Sequence, residues 1–215
     1  MARYSAEHKA QSRRKIVEAA ARLFRKGGVE GTALPQVMAE AGMTVGGFYR
    51  HFQSKSDLLR AALAEALAGT RRFLERSPGR GRAWVAKGNA AYLSRAHLEN
   101  VEGGCPLPAL AAEVARAEPE VREVYDTTMR SMVDALEPRL GDANGDGTSG
   151  DESVTVEKPT ARDRAWSLLA LDVGALVLAR AACDPKLADE ILAAAKRVAV
   201  DGVAGPPAAQ SGNEV

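Results

Sequence analysis

The amino-acid sequence predicts an all-α protein of about nine helices. Apolar residues recur with the period of an α-helix in nearly every segment, and none alternates strictly between apolar and polar residues as a half-buried strand would. Residues that start and stop helices separate these segments. Aromatic residues are only 5% of the 215 residues, so the core must consist mainly of Ala, Leu and Val, which suit closely packed helices.

Three helices are predicted in the first 52 residues. The first covers about 7–26, and Gly27 with Gly28 supplies its left-handed end. A short apolar stripe from Leu34 to the stop at Gly42 gives the second helix. Thr44 is then expected to cap a third helix over 45–52.

The remaining helices are long. The capping box at 54–57 opens a helix that runs to about residue 76, where Ser, Pro and Gly residues at 77–81 predict a domain boundary. Further helices are expected at about 82–98, 106–116, 119–139, 160–182 and 185–201. Residues 141–158 are rich in Gly, Asp and Ser and predict a flexible loop, and 204–215 predict a disordered tail.

Charge is distributed unevenly along the chain. Residues 1–82 hold 16 Lys and Arg against 7 Asp and Glu, whereas residues 83–215 hold 13 against 21, which gives +9 and −8 and the net charge of +1. A basic first third favours a part that binds a polyanion, joined to a body with another task.

The sequence favours a protein of the reducing cytoplasm. Cys105 and Cys183 are too few for a disulfide framework, and the first residues lack the apolar core of a signal peptide. The most apolar stretch, 166–182, contains Asp172 and is too short to span a bilayer, so no membrane association is expected.

The first three helices meet the requirements of a helix-turn-helix motif. A Gly-containing turn makes the second and third helices cross steeply, which leaves the third free to enter a major groove of DNA. Phe48 and Phe52 fall on its buried face, so Tyr49, Arg50 and His51 are expected to project toward nucleic acid.

These residues carry a family resemblance. Gly31-Thr32, the run VMAEAGMT at 37–44 and the run GFYRHFQSKSDLL at 47–59 resemble the TetR/AcrR family of bacterial transcriptional regulators. The resemblance implies a helix-turn-helix DNA-binding domain over 1–55, a long connecting helix over 56–80 and a ligand-binding and dimerisation domain over 81–203. It also implies a non-enzymatic homodimer without a cofactor, most often a repressor released from a palindromic operator by a small-molecule effector.

The resemblance assigns phosphate contacts to Tyr49, His51 and Lys55, and to Thr32 at the start of the second helix. Lys55 fits independently, because its ammonium and the unpaired amides of a helix start converge on one anion, although a solvated lysine and a packing role for Tyr49 stay open. The basic arm of Arg3, Lys9, Arg13, Arg14 and Lys15 either adds contacts or is merely solvated. The full predicted DNA-binding set is Thr32, Gln36, Thr44, Val45, Gly46, Gly47, Tyr49, Arg50, His51 and Lys55.

The expected effector site is less defined, because ordinary core or surface explains each single candidate better than pocket lining does. The candidates are Trp84, Tyr92, His97, Cys105, Tyr125, Met129 and Trp166. The expected dimer interface consists of apolar residues at helical spacing, which burial within one chain would also explain. Its members are Trp166, Leu169, Ala170, Val173, Val177, Leu187, Ile191, Ala194, Ala195 and Val198.

Particular residues also suggest other functions. Cys105 precedes a predicted helix whose dipole would lower the pKa of its thiol, so the regulator is alternatively switched by oxidation or by an electrophile. An enzyme that uses Cys105 and His97 and a helical module that binds acidic proteins are weaker alternatives. Residues 142–147 resemble the start of a calcium loop, but its twelfth position is Ser153 in place of Glu, and no metal site is expected.

Overall fold

The computed structural model describes residues 6–140 and 159–203, and in these residues every regular element is a helix. The all-α prediction is therefore confirmed. The predictions on Arg3, on the loop 141–158 and on the tail 204–215 lie outside the described residues. The α-helices are α1 (Ala6–Gly27), α2 (Leu34–Glu40), α3 (Lys55–Arg76), α4 (Gly81–Tyr92), α5 (Arg95–Glu99), α6 (Leu107–Val114), α7 (Pro119–Leu136), α8 (Ala161–Ala181) and α9 (Pro185–Val198). Shorter helices are the 3-10 helices η1 (Val45–Arg50) and Glu137–Arg139 and the π-helix Ala199–Val203.

The chain divides into two compact units, Met1–Phe73 with Glu99–Ser131 and Leu74–Leu98 with Met132–Val215. The first unit thus contains α6 and most of α7 together with the amino-terminal helices, although α6 and α7 are distant from those helices in sequence. The functional domains 1–55, 56–80 and 81–203 stay a prediction.

The core of the first unit is built around three phenylalanines from α1 and from the segment that follows α2. Phe24 and Phe48 are fully buried, Phe52 is nearly so, and the rings of Phe48 and Phe52 stack with centroids 5.8 Å apart. Ile16 of α1 and Met38 of α2 complete this core. The buried Phe48 side chain therefore anchors η1, which packs on α2.

Two details of the amino-terminal helices differ from the prediction. The third helix is a 3-10 helix that ends at Arg50, and Thr44 makes no side-chain capping bond. The turn is held by the main chain instead, since Met43 N donates to Met38 O at 2.8 Å and Gly42 adopts a φ of 71°. Two glycines in six residues weaken α-helical propensity, which explains the tighter and shorter helix.

The caps of the later helices agree with the predictions. Ser54 Oγ accepts from Asp57 N at 3.0 Å at the start of α3. A complete capping box joins Thr160 and Asp163 before α8, and the Asp184 side chain caps α9.

The helix predicted over 82–98 is two helices, α4 and α5. Leu93 ends the first by donating its N–H to Asn89 O at 2.8 Å, and Ser94 Oγ accepts from His97 N at 3.1 Å to start the second. A serine cap just after a buried leucine is the local reason for the break.

In the second unit, α8 and α9 enclose an apolar cluster that Leu93 and Leu98 complete. The same unit holds a polar pair of the buried Asn89 and the half-buried Asp172. Asn89 Nδ2 donates to Asp172 Oδ1 at 3.0 Å, and burial raises the pKa of Asp172 to about 7. None of the helices described is long and apolar enough to cross a membrane.

Candidate nucleic-acid interface

The exposed face of η1 is the centre of the candidate site. Phe48 is fully buried, whereas its neighbour Tyr49 is 72% exposed and Val45 is 44% exposed. The Tyr49 ring stands edge-on against Phe48, with centroids 5.2 Å apart. One face of a six-residue helix therefore anchors it, and the other presents an aromatic and an aliphatic side chain to solvent.

Gly46 and Gly47 are not required by the packing of the protein itself. A Cβ atom on Gly46 would meet nothing within 4 Å, and one on Gly47 would make an ordinary contact with Met38 Cε at 3.7 Å. Neither residue is among the glycines with positive φ. The bare main chain at the start of η1 is thus available for the close approach of another molecule.

A basic groove lies beside η1, between the first half of α1 and the turn after α2. It has a volume of about 640 Å³, and its lining includes five basic residues and no acidic one. The basic residues are His8, Lys9, Lys15, Arg50 and His51. Because the groove brings positive charges together without a carboxylate among them, it is suited to an anion such as a phosphate.

His51 is held neutral at the floor of this region. Burial first, and then the charges of Lys9, Arg13 and Arg50, lower the pKa of His51 below its ordinary value of 6.5. Its Nδ1 atom is buried without a hydrogen-bond partner. A proton there would lack an acceptor, so we assign the neutral ring the tautomer with its proton on Nε2, which can donate to an anion.

The start of α3 provides a further cation. Lys55 is the first residue of α3, is half-buried, and forms no ion pair within the described part of the chain. The Ser54 side chain caps the Asp57 amide, so other first-turn amides of α3 are left for solvent or a ligand. Gln36, Thr44 and Arg50 are exposed, as a contact with DNA requires.

Thr32 does not belong to this surface. Only 2% of Thr32 is exposed, and its hydroxyl donates to Gly28 O at 2.7 Å. The expectation of a phosphate contact from its side chain was wrong for that reason. The structure gives Thr32 the task of closing the turn between α1 and α2.

His8 was missed by sequence reasoning. His8, Gln11, Ser12 and Lys15 line the groove together and follow one another at i, i+3, i+4 and i+7. This polar stripe of α1 was a detectable signal. Arg13, expected in a basic arm, instead places its guanidinium 4.6 Å from the centroid of the Phe52 ring.

The predicted effector residues are divided between the two compact units. Cys105, Tyr125 and Met129 belong to the first unit, and Trp84, Tyr92, His97 and Trp166 belong to the second. Cys105 and Trp84 are buried, whereas Trp166 is 37% exposed, which does not suit the lining of an enclosed pocket.

Three of these residues have identified neighbours. The ring of Trp84 lies under the Arg139 guanidinium, with 5.7 Å between the guanidinium carbon and the ring centroid. The rings of Tyr92 and His97 pack edge to face, and His97 Nδ1 is 2.6 Å from Tyr92 O. Burial raises the pKa of the Tyr125 hydroxyl.

The predicted interface residues of α8 and α9 fall into two classes. Leu169 and Ala195 are buried within the chain, so the prediction that they face a partner was wrong. The others are exposed or half-buried and repeat at i, i+4, i+7 and i+11 on each helix. They are Trp166, Ala170, Val173 and Val177 on α8, and Leu187, Ile191, Ala194 and Val198 on α9. Leu178, 61% exposed, was missed by the sequence analysis.

Comparison with known proteins places the same segment in a family. The family model described as bacterial regulatory proteins, tetR family, matches residues 16–62. The regulator TtgR of Pseudomonas putida is 41% identical over 63 residues, 29% of this chain and 30% of that protein. AcrR of Shigella flexneri is 41% identical over 58 residues, 27% of each chain. The chain thus matches less than a third of the length of these curated relatives.

The likeness in fold extends further than the likeness in sequence. The reduced form of NemR from E. coli superimposes with a TM-score of 0.72 over 92% of this chain and 98% of that chain, at 21% identity. A TetR-family regulator from Agrobacterium tumefaciens gives a TM-score of 0.68 over 88% and 97%, also at 21% identity. In sequence, the amino-terminal helices of this chain match the TetR/AcrR family of transcriptional regulators.

Proposed function

We propose that the protein is a homodimeric, DNA-binding transcriptional regulator of the bacterial cytoplasm that reads a palindromic operator with η1. The observation that carries this proposal is the pairing of the exposed η1 face with a basic groove that has no acidic residue in its lining. Double-stranded DNA presents both a groove for η1 and phosphates for the neighbouring cations.

Each part of the surface has a chemical role in this proposal. The main chain at Gly46 and Gly47 approaches base edges, and Val45 contacts the methyl group of a thymine. Tyr49, Lys55 and the neutral His51 donate hydrogen bonds to phosphates, and the groove cations add charge. Sequence specificity then rests on Arg50, Gln36 and DNA shape, since η1 starts with few polar side chains.

The apolar stripes of α8 and α9 support a dimer of two identical chains. Repeats of i, i+4, i+7 and i+11 on two adjacent helices are the pattern of a helix-bundle interface. A dimer is needed because two reading helices must reach major grooves about 34–36 Å apart on one face of the duplex.

We further propose that a small molecule bound in the second functional domain releases the operator, which would make the protein a repressor. Binding of effector and operator is then antagonistic and reciprocal. Ligand contacts for Trp84, Tyr92, His97, Tyr125 and Met129 stay predictions.

The proposal is tested by fluorescence anisotropy with duplex DNA from upstream of the protein's own gene. Tyr49→Ala and Lys55→Ala should weaken binding to all duplexes alike, and Lys55→Ala should lower the salt slope by about 0.9. Matched controls are Phe73→Ala, which removes another exposed aromatic, and Lys87→Ala, which removes an exposed lysine of α4. Equal losses from the variants and their controls would contradict the assignment.

A switch at Cys105 is the second candidate, favoured by one observation. Cys105 is close enough to Arg25 for its charge to affect the pKa of that guanidinium, and it lies just before α6, which packs on α1. Cys105 is only 7% exposed, so an adduct on its sulfur would disrupt the packing of α6 on α1. Treatment with N-ethylmaleimide should abolish DNA binding in the wild type and leave Cys105→Ser unaffected.

The enzyme hypothesis gains no comparable support among the described residues. His97 Nδ1 is 2.6 Å from the carbonyl oxygen of Tyr92, so this ring nitrogen already has a hydrogen-bond partner.

A further inference from the structure

The end of α1 is held by a side chain from a distant part of the same unit. Gly28 leaves the helix with a φ of 74°, and its N–H still bonds to Phe24 O at 2.9 Å. The next amide, that of Val29, donates to Glu113 Oε2 at 2.8 Å. Glu113 lies on α6, 84 residues away in sequence. Because Val29 is 8% exposed, its amide needs a partner inside the protein.

The fit between Glu113 and the turn is close. A Cβ atom on Gly28 would lie 2.6 Å from Glu113 Oε1. The carboxylate therefore occupies the space that a side chain at position 28 would need, and the positive φ independently favours glycine there. A bond from an amide to a charged carboxylate is also stronger than one to a neutral acceptor.

A second attachment lies in the segment before α6. Arg25 Nε donates to Glu102 O at 2.6 Å, and Lys26 pairs with the Glu102 carboxylate. This segment and the last turn of α6 thus contact the end of α1 at two separate points. Two contacts constrain the direction of the final turn of α1 more than one contact would.

The same turn leads into α2, which precedes η1 in the chain. The Thr32 hydroxyl donates to Gly28 O at 2.7 Å, and α2 begins two residues later with Gln36 exposed. The Val29 amide, the Thr32 hydroxyl and the start of α2 thus lie in one short turn, and α2 packs against η1.

We propose that Glu113 is a positioning residue for DNA reading, which fixes the turn between α1 and α2 and hence the orientation of η1. This inference rests on the proposed function, since it assumes that η1 reads DNA. Glu113 itself touches no DNA in this account and acts through the Val29 amide.

Three substitutions separate positioning by the hydrogen bond from a general effect of charge. Glu113→Gln keeps an acceptor oxygen at full reach and loses the charge. Glu113→Asp keeps the charge and shortens the reach by one methylene, and Glu113→Ala removes both. Glu65→Ala is the matched control, because Glu65 is a carboxylate of the same unit whose partner is the side chain of Arg72.

The probe is a fluorescein-labelled duplex selected from random-sequence DNA by the wild-type protein, with an unrelated duplex of equal length beside it. We expect Glu113→Ala and Glu113→Asp to weaken binding to the selected duplex about tenfold or more. Their affinity for the unrelated duplex should change by less than about threefold. Phosphate contacts survive a tilt of η1 better than base contacts do. Glu113→Gln and Glu65→Ala should stay within about threefold of the wild type on both duplexes.

Thermal unfolding of each variant is measured beside the titrations. The proposal is overturned if Glu113→Ala lowers the Tm but leaves the ratio of the affinities for the selected and the unrelated duplex unchanged. Glu113 would then have a purely structural role. If Glu113→Ala does not fold, the ranking of Gln above Asp still decides, and the reverse ranking overturns the proposal. A wild-type protein that selects no sequence at all contradicts the proposed function itself, which is a different result.

Discussion

Two surfaces of the molecule expose different groups: the surface formed by η1 and the basic groove, and the outer face of α8 and α9. Around η1 the exposed groups include cations, hydrogen-bond donors and bare main chain beside the Val45 side chain, and the groove lining has no acidic residue. On α8 and α9 the exposed groups include Trp166, Val177, Leu187 and Val198, which are large and apolar. In the proposed function these two surfaces serve two partners, a polyanion and the apolar face of a second copy of the chain.

Disrupting the apolar face should have the largest effect. Val177→Glu places a charge in the centre of the proposed dimer interface, where an unpaired buried charge costs about 3–5 kcal/mol. The variant should sediment as a monomer and lose DNA affinity by about 100-fold or more. Lys186→Glu, a charge change elsewhere on exposed α9 surface, should remain dimeric. A monomer that binds the operator with full affinity would show that DNA binding does not depend on the apolar face of α8 and α9.

Adding a side chain at Gly46 of η1 should have the next largest effect. Gly46→Ala adds a Cβ into open space, so the protein should fold with equal or slightly higher stability, by up to about 1 kcal/mol. Operator affinity should nevertheless fall about tenfold, because the methyl group blocks base edges. Gly88→Ala, also in open space, is the control on α4, and the two variants should differ only in DNA binding. Equal operator affinities would show that the bases do not approach Gly46.

Removing one cation from the groove should have a smaller effect. Lys9→Ala should weaken binding to any duplex about equally and lower the slope of log K against log salt by about 0.9. The measurement is a titration at several salt concentrations. A slope unchanged from that of the wild type would show that Lys9 is merely solvated.

The smallest effect on DNA binding, and a clear effect on stability, is expected for Asp172→Asn. Because burial raises the pKa of Asp172 to about 7, the folded state holds a proton that the unfolded state releases near pH 4. Stability is therefore full at low pH and falls as pH rises toward 7, by up to about 4 kcal/mol. Asparagine resembles the protonated acid and cannot ionise.

Melting curves at pH 5 and pH 8 check this prediction. Asp172→Asn should have a higher Tm than the wild type at pH 8 and a much smaller difference at pH 5. Glu190→Gln, a change at an exposed site on α9, should show no such pH dependence. A lower Tm for Asp172→Asn than for the wild type at pH 8 would mean that the fold stabilises the charged carboxylate, so that its pKa is lowered and not raised.

The two regions also differ in how far their structure follows from sequence. The helices, the caps at Ser54 and Thr160 and the burial of Phe48 and Phe52 were predictable, because each depends on residues a few positions apart. The 3-10 character of η1 was not predicted, although its glycines hinted at it.

Long-range contacts explain most of what was missed. Thr32 has the sequence position of a phosphate ligand, yet its burial depends on how α1 and α2 pack. Nothing in the local sequence links Glu113 to Val29 across 84 residues. Leu169 and Leu178 share one apolar helix, and only the packing of α8 on α9 decides which is buried and which is exposed. The effector residues depend on contacts of this kind, and for that reason their prediction was the least specific.

Whether η1 and the basic groove read DNA is decided by a titration of the full-length protein with duplex DNA from upstream of its own gene at several salt concentrations. We expect tight binding by a dimer that depends on a palindrome and weakens steeply with salt. Weak binding without sequence preference, both to this DNA and to sequences selected from the whole genome, would rule out this function.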